Sequence, residues 1–498
     1  LVNGQTYQVR LRAVNAAGAG TASDPVAVTP RTEPNSPTIA VSWGANADGQ
    51  LGDGNTQDVD MPVWVDTTGI LAGKSITQVS AGANSACAVT SEGKIACWGA
   101  NSYGQLGDGT TTSSSVPVWV NLTGELAGKT ISHVTVGAYF ACAVTSEGRV
   151  ACWGWNYFGQ LGNGTAVDSL VPVAVDTTGV LAGKTISHVS AGSSSACAVT
   201  SEGKIACWGD NNDGQLGNGT TASSLIPVMV NTTGVLAGKT ISQVTVGAYF
   251  ACAVNSEGKV SCWGYNYFGQ LGNGTSANSN VPVSVNTSGV LAAKTITHVS
   301  AGSGTVCAAT SEGKASCWGY NANGQLGNGT RANSNTPILV NATGVLAGDS
   351  VAGVSVGGNS SCAATSKGRV ACWGANSAGQ LGNGTRADSS VPVAVDTSGV
   401  LAHRDVMSLS TGQGSVYAVA TSLPSAPTNV VAVAGNGQTS VSFTAPTSSG
   451  GSPLRNYEYS TDDGLTWTPR NPQSTQSPAI IAGRVNVTTY KVRRRAVM

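Results

Sequence analysis

The sequence predicts an all-β chain built around a seven-bladed β-propeller, and three observations carry that prediction. The cysteines fall at Cys87, Cys142, Cys197, Cys252, Cys307 and Cys362, and again at Cys97, Cys152, Cys207, Cys262, Cys317 and Cys372, each series stepping by 55 residues. A tryptophan keeps the same step seven times from Trp43 to Trp373, and each is followed by Gly-Gln-Leu-Gly, from Gly49–Gly52 to Gly379–Gly382. Glycine supplies 66 of the 498 residues, so much of the chain is turn. A fixed period with no insertion marks a repeat architecture, in which each unit needs its neighbours to bury its faces.

One repeat, from Gly128 to Val175, shows the elements in order. "TISHVTVG" alternates β-branched with other residues and reads as a first strand, "YFACAVT" as a second and "RVACWG" as a third. After the glycine-rich "GQLGNGT" loop, "LVPVAV" makes the fourth, with Pro172 suited to an outer position where no ladder donor is needed. The three-residue turn Ser91-Glu92-Gly93 places glycine where a left-handed residue is required. Thr90 then faces Lys94, and counting outward sets Cys87 opposite Cys97 with Cα atoms ~4.5 Å apart, within disulfide range.

The pairs expected are Cys87–Cys97, Cys142–Cys152, Cys197–Cys207, Cys252–Cys262, Cys307–Cys317 and Cys362–Cys372. The alternative is reduced thiols packing as small apolar groups. A lone pair separated by nine residues lacks the usual zinc-ligand spacing. Ala88 and Ala96 share the opposite face with Trp98, leaving room for a neighbouring blade. In the seventh blade both cysteine positions are changed, to Ser42 and Tyr417. That blade is assembled from two ends of the chain, Val406 to Ser422 and Ile39 to about Val65, which closes the ring and hides its strand edges.

"HVTVGAYFACAVTSEGRVACWGWNYFGQLGNGT" resembles the repeat of the regulator of chromosome condensation family, and the resemblance implies a seven-bladed propeller over residues 38–422. The flanks resemble fibronectin type III β-sandwich domains. Residues 1–33 are similar to the C-terminal part of one, and residues 424–498 to one lacking its last strand, with "EPNSP" and "TSLPSAP" as linkers. These flanks imply a piece of a longer modular chain, within which the propeller is expected to be monomeric.

Charged residues make up only 10% and balance to zero, which argues against a nucleic-acid surface. No apolar run reaches the ~18 residues of a membrane span. Twelve paired cysteines fit an oxidising compartment, so an extracellular or bacterial cell-surface location is expected. No catalytic constellation, metal site or cofactor motif stands out. His133, His188 and His298 share one repeat position and would form a functional triad only if all three enter a central channel; otherwise they are partly exposed strand residues. The Asp53, Asp108 and Asn163 stretches read first as turn formers, lacking the carboxylates that calcium requires.

The informative positions are those where the repeats differ. One blade carries Tyr139, Phe140, Trp155, Tyr157 and Phe158, and another, two blades on, carries Tyr249, Phe250, Tyr265, Tyr267 and Phe268. The blade between them has Ser194, Asp210, Asn212 and Asp213 instead, while Tyr103 and Tyr320 extend the arc on either side. An exposed aromatic cluster of this kind marks an interaction surface; cross-strand stiffening or the trace of a duplication would produce the same pattern. The expected function is therefore a non-catalytic extracellular binding or adhesion module whose propeller face holds a protein partner. A carbohydrate- or matrix-binding module and a purely structural spacer are the alternatives.

Overall fold

The computed structural model describes residues 38–402 and 404–421, and in the flanks 7–9, 14–15, 18–19, 26–28, 424, 426–446, 454, 456–460, 468–482 and 493–497. Seven four-stranded antiparallel sheets account for the repeats. In the blade named here blade 3, Ile131–Val136, Phe140–Thr145, Val150–Gly154 and Ser169–Ala174 follow one another from the central channel outward. Blade 1 is the shared one: Val406–Thr411 and Ser415–Thr421 supply its inner strands, Thr38–Gly44 and Val59–Trp64 its outer ones. Blades 2 to 7 follow in chain order. No helix among the described residues is long and apolar enough to cross a membrane.

The hairpin register is as expected, with Cys87 opposite Cys97 and the Thr90 N–H bonded to the Lys94 carbonyl. All six pairs are disulfides, with Cα atoms 4.0–4.1 Å apart. Six of the seven inter-blade cores join the disulfide side of one sheet to the small-residue side of the next, and Tyr417 takes the place of the disulfide in the seventh. Cys87, Val89, Ile95 and Cys97 of blade 2 pack on Ala141, Ala143, Ala151 and Trp153 of blade 3. The tryptophan completes that contact with a hydrogen bond back across the boundary: Trp153 Nε1 donates to the Gln105 carbonyl at 3.0 Å, and all seven tryptophans repeat the bond. Gly107 lies against the same indole, where a Cβ would sit 2.7 Å from its ring atoms, so the Gly-Gln-Leu-Gly motif is a tryptophan cradle.

A second ring of bonds runs around the channel wall. Ser80, Thr135, Ser190, Thr245, Ser300, Ser355 and Ser410 each accept, through the side-chain hydroxyl, the backbone N–H of the next blade. The ring includes shared blade 1, so closure is bonded as continuously as any other boundary.

Residues 1–35 form a separate unit in which Tyr7–Val9 pairs with Val26–Val28 and Val14–Asn15 with Gly18–Ala19. Past the propeller, Thr428–Gly435, Gln438–Thr444 and Ala479–Ala482 make one sheet, and Thr468–Pro469, Asn456–Ser460 and Arg493–Val497 another. Phe443 and Tyr457 meet between these two sheets, ring centroids 4.5 Å apart. The "EPNSP" linker and His403 lie outside the described residues.

Candidate functional site

The junction of the second and third strands is a Ser-Glu-Gly hairpin in blades 2 to 6 and Ser-Lys-Gly in blade 7. At the end opposite that junction each blade presents two loops: the turn between strands one and two, and the 14-residue loop between strands three and four. In blade 3 these loops are locked together. Gly154 ends the third strand with φ +103°, and a Cβ there would lie 2.6 Å from the Tyr139 carbonyl. That carbonyl accepts the Trp155 N–H at 2.9 Å, which holds the two side chains as neighbours. Asn156, fully buried, then organises the long loop: its Oδ1 accepts the Leu161 N–H, and its Nδ2 donates to the Thr165 and Val167 carbonyls. With the loop pinned from within, Tyr157 and Phe158 are pushed to its tip.

The structure gathers the aromatic residues into two ladders. Tyr103 meets Tyr139 (5.5 Å between centroids) and Trp155 (6.0 Å), Trp155 stacks on Tyr157 with planes 9° apart, and Phe158 closes the set edge-on. In blade 5, Tyr249 meets Tyr265, Tyr265 stacks on Tyr267, and Phe268 reaches Tyr320 of blade 6 at 4.7 Å. Tyr157 and Tyr267 are each 69% exposed, and Tyr103, Tyr139 and Tyr249 are exposed as well.

Blade 4 separates the ladders. Asp210 accepts hydrogen bonds from Asn212 Nδ2 (2.7 Å) and Gln215 Nε2 (3.0 Å), while Asp213 accepts one from Asn278 Nδ2 of blade 5 (3.0 Å). Partial burial, reinforced by the neighbouring Asp210 charge, pushes the Asp213 carboxyl above its ordinary value. The Asp/Asn-Gly-Thr stretches are Asx turns, as in Asp108 Oδ1 accepting the Thr110 N–H.

Three of the expected site residues take other roles. Phe140 and Phe250 are fully buried and turn inward with Cys142 and Cys252 into the inter-blade cores. As first residues of their strands they face the next blade, because side chains alternate between the two faces of a sheet, so they are packing residues and not ligand contacts. Asp210 is also buried, its carboxylate bonded within its own loop, which leaves Asp213 as the carboxylate nearer the surface. Tyr103 gains weight, since it completes the first ladder from blade 2. Its signal in the sequence was a lone tyrosine at the Phe158 repeat position.

The histidines do enter the channel. Gln78, His133, His188, Gln243 and His298 line a cavity of about 190 Å³ along its wall. His133 Nε2 lies 3.1 Å from the Val189 carbonyl of the next blade, and its ring is 4.6 Å from that of His188. Burial, with His188 beside it, lowers His133 to about 3, and burial lowers His188 and His298 too. They are half-buried strand residues, as expected, and the channel wall they line alternates with Gln78 and Gln243 in place of a histidine triad. Among the described residues no three His, Cys, Asp or Glu side chains are grouped to hold a metal.

Comparison with known proteins bears on the whole ring. The family model described as the RCC1-like domain matches residues 39–418. The ultraviolet-B receptor UVR8 of Arabidopsis thaliana is 33% identical over 72% of this chain and 78% of its own length. The E3 ubiquitin-protein ligase HERC2 of Homo sapiens is 32% identical over 71% of this chain, a match that spans 7% of that much longer protein. Among solved structures, human WBSCR16 superposes with a TM-score of 0.67 at 22% identity, covering 77% of this chain and 98% of that one. Prp20p from Saccharomyces cerevisiae gives 0.66 at 19%, covering 78% and 92%.

Proposed function

The chain belongs to the RCC1-like domain family, and we propose that its propeller is a non-catalytic, extracellular module that holds a protein partner on its aromatic face. The observation that carries this reading is the pair of aromatic ladders, with Tyr157 and Tyr267 turned to solvent at the loop tips. Rigid aromatic side chains on a pinned loop bury large area at little entropic cost, which is how interface anchors work. Propellers of this family serve as binding and regulatory modules, and Prp20p has been characterised for its binding to Gsp1p and histones. Six disulfides support an oxidising compartment. The similarity of residues 1–33 and 424–498 to fibronectin type III domains supports a modular surface protein.

The exposed faces of Tyr157 and Tyr267 equally suit stacking on sugar rings, which is the second reading. The experiment compares the chain with its Trp155→Ala, Tyr265→Ala double variant against a panel of purified secreted proteins and a glycan array. Protein capture lost in the variant supports the reading, and glycan capture lost instead supports the alternative. A variant that melts like the parent and captures the same ligands overturns the aromatic-face reading, and a parent that captures nothing makes the propeller a spacer.

A further inference from the structure

The loops of the aromatic face carry an unequal share of the chain's charge. The seven loops joining strands three and four hold Asp48, Asp53, Asp58, Asp108, Asp168, Asp210, Asp213 and Asp388, no lysine, and only two cations, Arg331 and Arg386. Both arginines face carboxylates already, Arg331 with Asp388 at 3.5 Å and Arg386 with Asp58 at 3.7 Å. The turns between strands one and two carry no charge at all. Every propeller lysine lies at the opposite end, beside or within the hairpin turns, where Lys74, Lys129, Lys184, Lys239 and Lys294 pair with hairpin glutamates and Lys367 with Asp349. A chain with zero net charge is thus polarised from face to face, and its aromatic face is the negative one.

The negative charge is also placed. Asp213 stands at the repeat position that Phe158 and Phe268 occupy in the flanking blades, so the carboxylate interrupts the aromatic arc at its middle. It is half-buried, one oxygen is tied to Asn278, and the nearest charge on its own loop is another carboxylate, Asp210. Aromatic ladders in the two flanking blades and a carboxylate in the blade between them each favour a cation, the rings by quadrupole and the carboxylate by charge.

Building on the aromatic-face reading, we propose that the partner is a protein segment presenting arginine side chains, one of which enters the gap at Asp213 between the two ladders. A planar guanidinium stacks on tyrosine and tryptophan while donating to a carboxylate in two parallel bonds, a combination lysine cannot match. A neutral glycan would use the ladders but gain nothing from the charge.

The test uses the whole chain and measures binding of octa-arginine, octa-lysine and cellohexaose by calorimetry at low and physiological salt. Octa-arginine binds tighter than octa-lysine and weakens with salt; Asp213→Asn costs it about tenfold and Asp213→Lys abolishes it. Tyr157→Ala with Tyr267→Ala weakens it comparably, while Glu147→Gln with Glu202→Gln on the opposite face leaves it unchanged. Octa-arginine that fails to bind, or binds Asp213→Lys as well as the parent, overturns the proposal. So does loss of binding in the Glu147, Glu202 variant, which would mark general charge attraction. Cellohexaose binding that depends on Tyr157 and Tyr267 but not on Asp213 overturns it in favour of a glycan. If the Trp155, Tyr265 variant loses a protein partner that Asp213→Lys still captures, the cationic segment falls while the aromatic-face reading stands.

Discussion

Tyr417 and Ser42 stand directly opposite each other in blade 1, at the register position that two cysteines hold in each of the other six blades. Tyr417 fills the space a disulfide would take. Its ring packs 6.2 Å from that of Trp98, and its hydroxyl donates to the Gln50 carbonyl, the same acceptor that Trp98 Nε1 uses. The double variant Ser42→Cys, Tyr417→Cys should therefore form a seventh bridge, tying the two ends of the propeller together. The oxidised variant should unfold at higher denaturant than its own reduced form, since the new bridge closes a very long loop. The reduced form should fall below the parent, because truncating a buried aromatic costs about 3–5 kcal/mol, and the bridge should offset most of that cost in the oxidised form. Mass spectrometry for the loss of two hydrogens checks the bridge.

Each native disulfide closes a short hairpin loop, with a sequence separation of 10. Replacing Cys142 and Cys152 together by alanine should cost about 3 kcal/mol on the chain-entropy estimate. Denaturant melts under non-reducing conditions measure it, and a loss near zero would show that the inter-blade packing holds the hairpin unaided.

Gly107 and Gly183 share nearly the same left-handed φ, +68° and +66°, but not the same surroundings. A Cβ at Gly107 meets Trp153, whereas at Gly183 nothing lies within 4 Å. Gly183→Ala should cost about 1 kcal/mol, the conformational term alone. Gly107→Ala should cost about 2–4 kcal/mol by also displacing the indole from its bond to Gln105. Equal melting temperatures for the two variants would contradict the cradle.

Blade 7 reverses an ion pair. Where other blades set Lys294 against Glu312, this one sets Asp349 against Lys367 at 2.8 Å, with Arg369 at 2.5 Å. Asp349→Lys should lower the melting temperature, and adding Lys367→Glu should recover most of the loss. Hydrogen bonds from Lys367 hold the Asp349 carboxyl below its ordinary value, so its contribution is complete above the usual carboxylate range and lost as pH falls through the lowered one.

The channel histidines predict a second pH dependence. Their folded values lie below the unfolded value of about 6.5, so as pH falls below that the unfolded chain binds protons the channel refuses. The His133 share should fall by up to about 1.4 kcal/mol per pH unit and end near 3, and His188 and His298 act in the same direction. His133→Gln should flatten the slope without unfolding the ring, because Gln78 and Gln243 already serve at this position, each accepting an N–H of the next blade. Melts across the acid range, parent against variant, decide it.

The period of the repeat determined the blades, their register and the disulfide pairs, because strand alternation and a three-residue turn leave one way to place Cys87 against Cys97. The missing pair at Ser42 and Tyr417 likewise announced the shared blade. Sequence spacing also put Tyr139 beside Trp155, since both belong to one hairpin. What lies between blades was decided only by the tertiary structure. Phe140 looks like its neighbour Tyr139 in the sequence, yet one is buried and the other exposed, because Phe140 begins a strand sandwiched between two blades whereas Tyr139 lies in the turn before it. The histidines' fate depended on seven first strands converging on one axis, which no single repeat encodes. The polarity of the faces emerged the same way: charges scattered along the chain become separate surfaces only once every loop of one kind is brought to one end.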